Sequence, residues 1–351
     1  MTCCNWKSKK SNYVCTNEAD KSGYCLFHKP NKSKIEKEEF IKLIIERKIN
    51  DFSGFIFDME FNPSKVINYE YEELRFDEAV FEEDVDFSNM IVKKNIFFNY
   101  TVFKKNITFK DSIMIQNCTF YKTKFNENLI KHKVFNNTLF KGQLLVIDEV
   151  ENFPRLDGVE FGSCTKIIMK NIDYDKEHNK YGKINYRIAK NQAVKIGNYE
   201  NTGNYYYNER KYGGISIRKS DYLNRREYLS AKFLEFIARH SIGYGEKPWN
   251  IAWITIGVIS LFALFYMFSG VKILDEIVNV DLIDIKNYTF NELAIIYINL
   301  WYFSIVTFTT VGYGDIVPYT IYSRILVVIE VILGILMAGI IASVIIKRMI
   351  K

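Results

Sequence analysis

The sequence predicts a multidomain chain in which a four-sided β-helix is followed by a helical linker and then by an all-α membrane domain with two spanning helices. Three observations carry that prediction. Apolar or aromatic residues recur every five or six positions through residues 61–145, a period of neither a helix nor an ordinary strand. The chain is polar up to about residue 247 and strongly apolar beyond it, which a mean hydropathy of -0.10 conceals. Two stretches, 248–271 and 325–346, each supply the roughly 20 apolar residues that cross a bilayer.

Residues 1–32 come first. The opening 50 residues are lysine-rich and lack the apolar core of a signal peptide, so the polar half is expected in the cytoplasm. Of the six cysteines, four crowd into the first 25 residues, which in a reducing compartment points to a metal rather than to disulfides. Cys25-Leu26-Phe27-His28 sets a thiolate and an imidazole on one tight turn. Cys4 and Cys15, with Cys3 a rival for Cys4, would complete a closed tetrahedral zinc site. Within 33–50, the amphipathic segment 34–48 is expected to cap the open end of a repeat stack.

Residues 51–172 hold the ladder. It runs Phe61, Val66, Tyr71, Phe76, Phe81, Phe87, Val92, Phe98, Phe103, Phe109, Met114, Phe120, Phe125, Ile130, Phe135, Phe140 and Leu145. One inward residue per side gives a coil of about 20 residues, or 22 where steps of six intervene. Phe76, Phe98 and Phe120 should then stack along one edge, and Phe81, Phe103 and Phe125 along the next. Charge is uneven: residues 51–90 carry twelve acids against two bases, and 91–150 ten lysines against four acids. A net charge of +6 distributed in this way names no partner, and the acidic run reads as a solvated face.

Residues 173–247 read as a helical linker, with two helices over 185–212 broken near Gly197-Asn198 and a third over 221–240. Gly243 and Gly245 form a joint ahead of the apolar half. His132, His178 and His240 lack catalytic partners, and no nucleophile elbow, phosphate loop or paired-carboxylate site is present, so no enzyme activity is expected.

Residues 248–351 divide into an outer helix (249–270), a pore helix (291–308), a filter (309–315) and an inner helix (322–347). Arg225, Arg226, Lys232, Arg239 and Lys247 precede the first span, and Lys347, Arg348 and Lys351 follow the second. The loop between holds Asp275, Glu276, Asp281, Asp284 and Glu292 against Lys272 and Lys286. Both termini are therefore expected to be cytoplasmic, with an acidic loop outside that draws cations weakly. Thr289 or Asn291 can cap the pore helix, whose negative end aims at the pore centre. It runs into Thr309-Thr310-Val311-Gly312-Tyr313-Gly314-Asp315. Carbonyl rings can replace an ion's water shell, and Gly312 and Gly314 permit the backbone angles that requires. The Thr310 hydroxyl adds the innermost ring, while Val311 and Tyr313 point away and hold the strand by packing. Glu330 is an ionisable group inside a span, hence functional by default, either bonded to the filter's support or near the outer interface.

Residues 249–346 resemble the pore of two-transmembrane potassium channels, on the strength of the Thr-Thr-Val-Gly-Tyr-Gly-Asp motif after a half-length helix and between two spans. The resemblance implies a homotetramer in the cell membrane, potassium ions in the filter, and support from Thr309, Trp301, Asp315 and Glu330. It also implies a gating hinge at Gly334, 21 residues beyond Tyr313, or at Gly339, although close helix packing would explain a glycine equally well. The ladder resembles the pentapeptide-repeat family in degenerate form, which implies a right-handed quadrilateral β-helix. A short Cys/His knuckle heads some such proteins, and 185–212 is similar to a lone tetratricopeptide-like hairpin. The expected function is passive potassium conduction, modulated or docked through the cytoplasmic repeat domain, with lipid and a cytoplasmic protein as partners and no nucleic acid. A weakly selective cation channel and a membrane-anchored scaffold are the alternatives.

Overall fold

The computed structural model describes residues 3–10, 13–67, 73–273, 276–280 and 288–349, with residues 347–349 described by backbone alone. The chain forms two compact units, Met1–Arg225 and Arg226–Lys351.

In the first unit a helix at Lys34–Glu46 starts on Ser33, whose side chain and that of Glu36 form a reciprocal capping box. Phe40 and Ile44, one turn apart, are its buried residues, and Phe40 packs edge-on against Phe57 at 5.4 Å. The helix thus closes the first coil. Four parallel sheets follow, one per side of the β-helix. The longest pairs strands Glu73–Arg75, Asn95–Phe97, Cys118–Tyr121, Leu144–Asp148 and Lys166–Lys170 in coil order. Pairings such as Ile96↔Cys118 and Phe81↔Phe103 set a coil of 22 residues. That is the length expected where steps of six intervene; where steps of five predict 20, the first coil takes 24 residues instead, as in Ile56↔Val80. Each side joins a strand of two to five residues to a corner, and steps of five and six alternate around it. One coil swells to 26 or 27 residues where a 3₁₀ turn at Glu127–Lys131 is inserted, burying Ile130.

Phenylalanines stack in columns, as expected along two edges and also along a third. Phe52, Phe76, Phe98 and Phe120 stack at 4.8, 5.4 and 5.1 Å. Phe57, Phe81, Phe103 and Phe125 stack at 4.5, 5.1 and 5.4 Å. Phe87, Phe109, Phe135 and Phe153 form the third column at 4.8, 5.0 and 5.7 Å. Val66 is only half-buried, because a single helical turn at Pro63–Val66 brings Ile67 inward instead. Tyr71 lies outside the described residues. Corners two residues past a column ring adopt left-handed angles even where the residue is not glycine, as at Glu78, Tyr100 and Lys122 (φ 59, 59 and 52). Such angles cost a non-glycine residue about 1 kcal/mol, and here they keep the coil-to-coil hydrogen bonds running through the corner. The Glu78 amide donates to Asn99 O, and that of Tyr100 to Tyr121 O, both at 2.7 Å.

The uneven charge also finds its reason. Lys104 pairs with Glu82 at 2.8 Å and Lys105 with Glu83, each one 22-residue coil apart. The acid-rich coil lies against the lysine-rich one.

At the far end, helices Asn179–Lys195 and Tyr199–Ile215 break at Gly197 (φ 68). They act as a lid on the last coils rather than as a linker. Gln192 donates to Thr165 O at 2.9 Å, Tyr205 to Ile167 O at 2.7 Å and Tyr212 to Ile172 O at 3.0 Å. Asn185 accepts from the Leu156 amide at 2.8 Å and donates to Pro154 O at 2.9 Å. Backbone groups that a further coil would have paired are met by side chains.

The second unit holds a helix at Arg225–His240, a turn at Gly243–Gly245, and helices Pro248–Ser269, Phe290–Phe308 and Ile321–Met349. The last three contain spans long and apolar enough to cross a membrane. Phe262, Tyr266, Met267, Leu300 and Phe303 form their shared core. Beside the helices stands an element that the sequence did not signal. Val271–Ile273 pairs antiparallel with both Glu276–Val278 and Ile316–Pro318.

Candidate ion pathway and metal centre

Thr289, not Asn291, caps the pore helix: its side chain accepts from the Glu292 amide, and the Glu292 carboxylate accepts from the Thr289 amide at 2.8 Å. The helix is fixed to the outer helix by polar side chains in apolar surroundings. Tyr297 donates to Ser260 O and the Trp301 indole to Ser260 Oγ, each at 3.1 Å. Among the described residues, the Trp301 indole is thus bonded to the helix Pro248–Ser269.

The helix ends at Thr309, which caps it and whose hydroxyl donates to Ile305 O at 2.7 Å. The chain then leaves helical geometry abruptly. Thr310, Gly312 and Gly314 take positive φ of 58, 57 and 82. Left-handed angles at alternate residues turn successive carbonyls the same way, which extended L-residues do not do. The Val311 amide donates to Val306 O at 3.0 Å, tying one end of the segment to the pore helix. At its other end Asp315 leads into Ile316–Pro318, held in the antiparallel ribbon. Val311 and Tyr313 were expected to pack. Within one chain they do not, being 52% and 72% exposed, and a Cβ on Gly312 or Gly314 would meet nothing within 4 Å. A single chain offers a strand with no cover on it.

Glu330 sits in the core of the second unit and is fully buried. It accepts from the Tyr266 hydroxyl at 2.7 Å and meets the Ser304 hydroxyl, so inner, outer and pore helices converge on one carboxyl group. One turn further on, a Cβ on Gly334 would lie 2.1 Å from Phe308 O. Glycine there lets the inner helix touch the end of the pore helix. The inner helix runs unbroken through Gly334 and Gly339, and a Cβ on Gly339 would meet nothing within 4 Å. Sequence reasoning missed Tyr266, Ser304, Ser260 and Tyr297. Their only signal was polarity inside apolar runs, which does not say who pairs with whom.

The second constellation lies at the start of the first unit. Ligand atoms of Cys4, Cys15, Cys25 and His28 fall within 4.8 Å of one another, and all four residues are buried, whereas Cys3 is exposed. His28 Nδ1 is 3.2 Å from Cys25 Sγ and 3.5 Å from Cys4 Sγ, and Cys15 Sγ is 3.9 Å from Cys25 Sγ. Zinc bound tetrahedrally, with Zn–S of about 2.3 Å and Zn–N of about 2.0 Å, separates its ligands by about 3.5–3.8 Å. The donor set and spacing fit that ion. His28 Nε2 lies 3.3 Å from Ser53 O, which fixes Nδ1 toward the sulfurs, and Trp6 stacks on the imidazole at 4.4 Å. Burial pushes the Cys15 thiol up to about 12 and His28 down to about 4, so the bare pocket would hold neutral groups. A divalent cation reverses that preference by pairing with thiolates. Buried Lys32 anchors the knuckle to the first coil, donating to Lys29 O and Ile56 O at 2.6 Å each and standing 3.5 Å from Asp58.

Residues 281–351, about the last fifth of the chain, match the family model described as an ion channel. Neither a curated protein nor a solved structure matches. The chain is thus a membrane protein whose helical C-terminal part carries an ion-channel domain.

Proposed function

We propose that the chain is one subunit of a potassium-selective channel in which four copies surround a pore lined by Thr310–Gly314. The observation that carries this reading is the run of left-handed angles at Thr310, Gly312 and Gly314 directly beyond the end of an apolar helix. Carbonyls so turned suit a cation that must exchange water for protein oxygen, and several strands are needed to complete each ring. The exposed Val311 and Tyr313 are the surfaces that neighbouring subunits would cover. Only two helices span the bilayer in this reading. Phe290–Phe308 is the least apolar of the three candidates (mean hydropathy 1.2 against 2.2 and 2.9) and runs into irregular backbone, which membrane interiors tolerate only beside a water-filled path. Both termini then lie on the cytoplasmic side. Reversal potentials of the reconstituted protein in asymmetric potassium and sodium test selectivity. A value near the potassium equilibrium potential is expected, a value near zero supports the weakly selective cation channel instead, and Gly312→Ala should abolish selectivity or conduction.

The N-terminal knuckle holds one structural zinc on Cys4, Cys15, Cys25 and His28, and the β-helix modulates the pore or docks a cytoplasmic protein. A trough of about 1050 Å³ along the β-helix, bordered by Trp6, Tyr24, Val80, Tyr100 and Val102, favours the docking role. If currents persist unchanged when residues 1–240 are removed, the modulatory role fails and docking stands alone.

A further inference from the structure

We propose that Glu330 is a neutral carboxylic acid whose own proton is donated to Ser304, and that this bond positions the pore helix behind the filter. The inference rests on reading 309–315 as the filter, but its chemistry is fixed by counting protons. Three close polar contacts meet here. Tyr266 Oη lies 2.7 Å from Glu330 Oε2, Ser304 Oγ lies 2.9 Å from Ile259 O, and Ser304 Oγ also meets Glu330 Oε1. Each hydroxyl carries one proton, while a backbone carbonyl and an ionised carboxylate only accept. With Glu330 ionised, Tyr266 serves one carboxylate oxygen. Ser304 must then choose between Ile259 O and Oε1, leaving two lone pairs face to face across the other contact. One added proton on Oε1 removes the conflict: Glu330 donates to Ser304, Ser304 to Ile259 O, and Tyr266 to Oε2.

The surroundings agree. Glu330 is fully buried, and the groups that face it are a phenol from the outer helix and an aliphatic hydroxyl from the pore helix. Among the described residues its closest polar partners include no cation, and an unpaired buried charge is costly. The position matters because the inner helix grips the pore helix at two points one turn apart. Glu330 holds Ser304, and the backbone at Gly334 rests against Phe308 O, just before the filter begins at Thr309. Movement of the inner helix reaches the filter through these two contacts.

Infrared absorption of the full-length protein in liposomes tests the proton directly. At neutral pH the wild type should show a carboxylic-acid C=O stretch that E330Q lacks, and S304A should shift that band to higher frequency by removing its acceptor. Carboxylate bands in place of the acid band would overturn the proposal. Ion flux in the same liposomes tests positioning. The E330Q amide can donate to Ser304 and accept from Tyr266, so it should keep the wild-type ion preference, whereas E330A should lose it. Loss of that preference in E330Q to the same degree as in E330A would also overturn the proposal. If the wild type itself fails to prefer potassium, the filter reading falls while the infrared band still decides where the proton lies.

Discussion

The β-helix and the pore helices bury their aromatic and apolar residues by opposite means. In the β-helix every column ring finds its partner one coil away in the same chain, and Phe76, Phe98 and Phe120 are completely buried. In the pore unit the inner helix is almost bare: only 11% of its most apolar window is buried within the chain, and Tyr313 is 72% exposed. The first unit is finished as a single chain. The second is a part, whose remaining surfaces suit lipid and, in the reading proposed here, further subunits. Residue type alone does not separate them, since both are rich in Phe, Ile and Val. What separates them is whether the sequence brings a covering residue back at a fixed interval.

Substitutions can break that contrast. The largest effect is expected at Phe98, whose ring lies between Phe76 and Phe120: Phe98→Ala should cost about 3–5 kcal/mol in denaturant unfolding. A loss no greater than at surface positions would mean that the columns do not carry the fold. Metal removal comes next. Elemental analysis of the dialysed protein should find one zinc per chain, lost in Cys25→Ser and in His28→Ala, with earlier proteolysis of the N-terminus and unchanged ion preference. Metal-free wild type would refute the site. In the pore unit, Gly334→Ala forces a Cβ against Phe308 O and should cost about 1–3 kcal/mol, read as weaker assembly in detergent or reduced current. Ala tolerated there would show that the two helices do not touch. The smallest change is expected at Lys104, whose pairing with Glu82 is exposed: Lys104→Ala should alter stability by less than about 0.5 kcal/mol, and less still in high salt.

Parts of this molecule were legible because they are periodic or local. The positions of Phe76, Phe98 and Phe120 follow from spacing alone, as does the break between the two lid helices at Gly197. Other parts had local signals with more than one meaning. Steps of five at 61–81 and 125–145 read as 20-residue coils, and the ladder could not say that helical turns at Pro63–Val66 and Glu127–Lys131 lengthen the coils there. Thr289 and Asn291 are equally good caps by type, and only the geometry selects Thr289. At Thr310 the sequence offered a hydroxyl, with no sign that a β-branched residue would take a left-handed angle.

What the sequence by itself determined is the arrangement of apolar and special-backbone residues along the chain. That arrangement comprises two long apolar spans, the second interrupted by Glu330, a third apolar helix between them, glycines at 312 and 314, and a ring at each turn of the ladder. These follow from hydropathy, helix length and the allowed φ of each residue, all properties of short segments. Only the tertiary structure decided which distant groups meet. It set Lys104 beside Glu82, laid Gln192, Tyr205 and Tyr212 over the last coils, chose Cys4 over Cys3, and brought Tyr266 and Ser304 to Glu330. A hydrogen bond or ion pair between residues far apart leaves no mark in the sequence around either one. Its energy depends on a separation that exists only once the coils have stacked and the helices have packed.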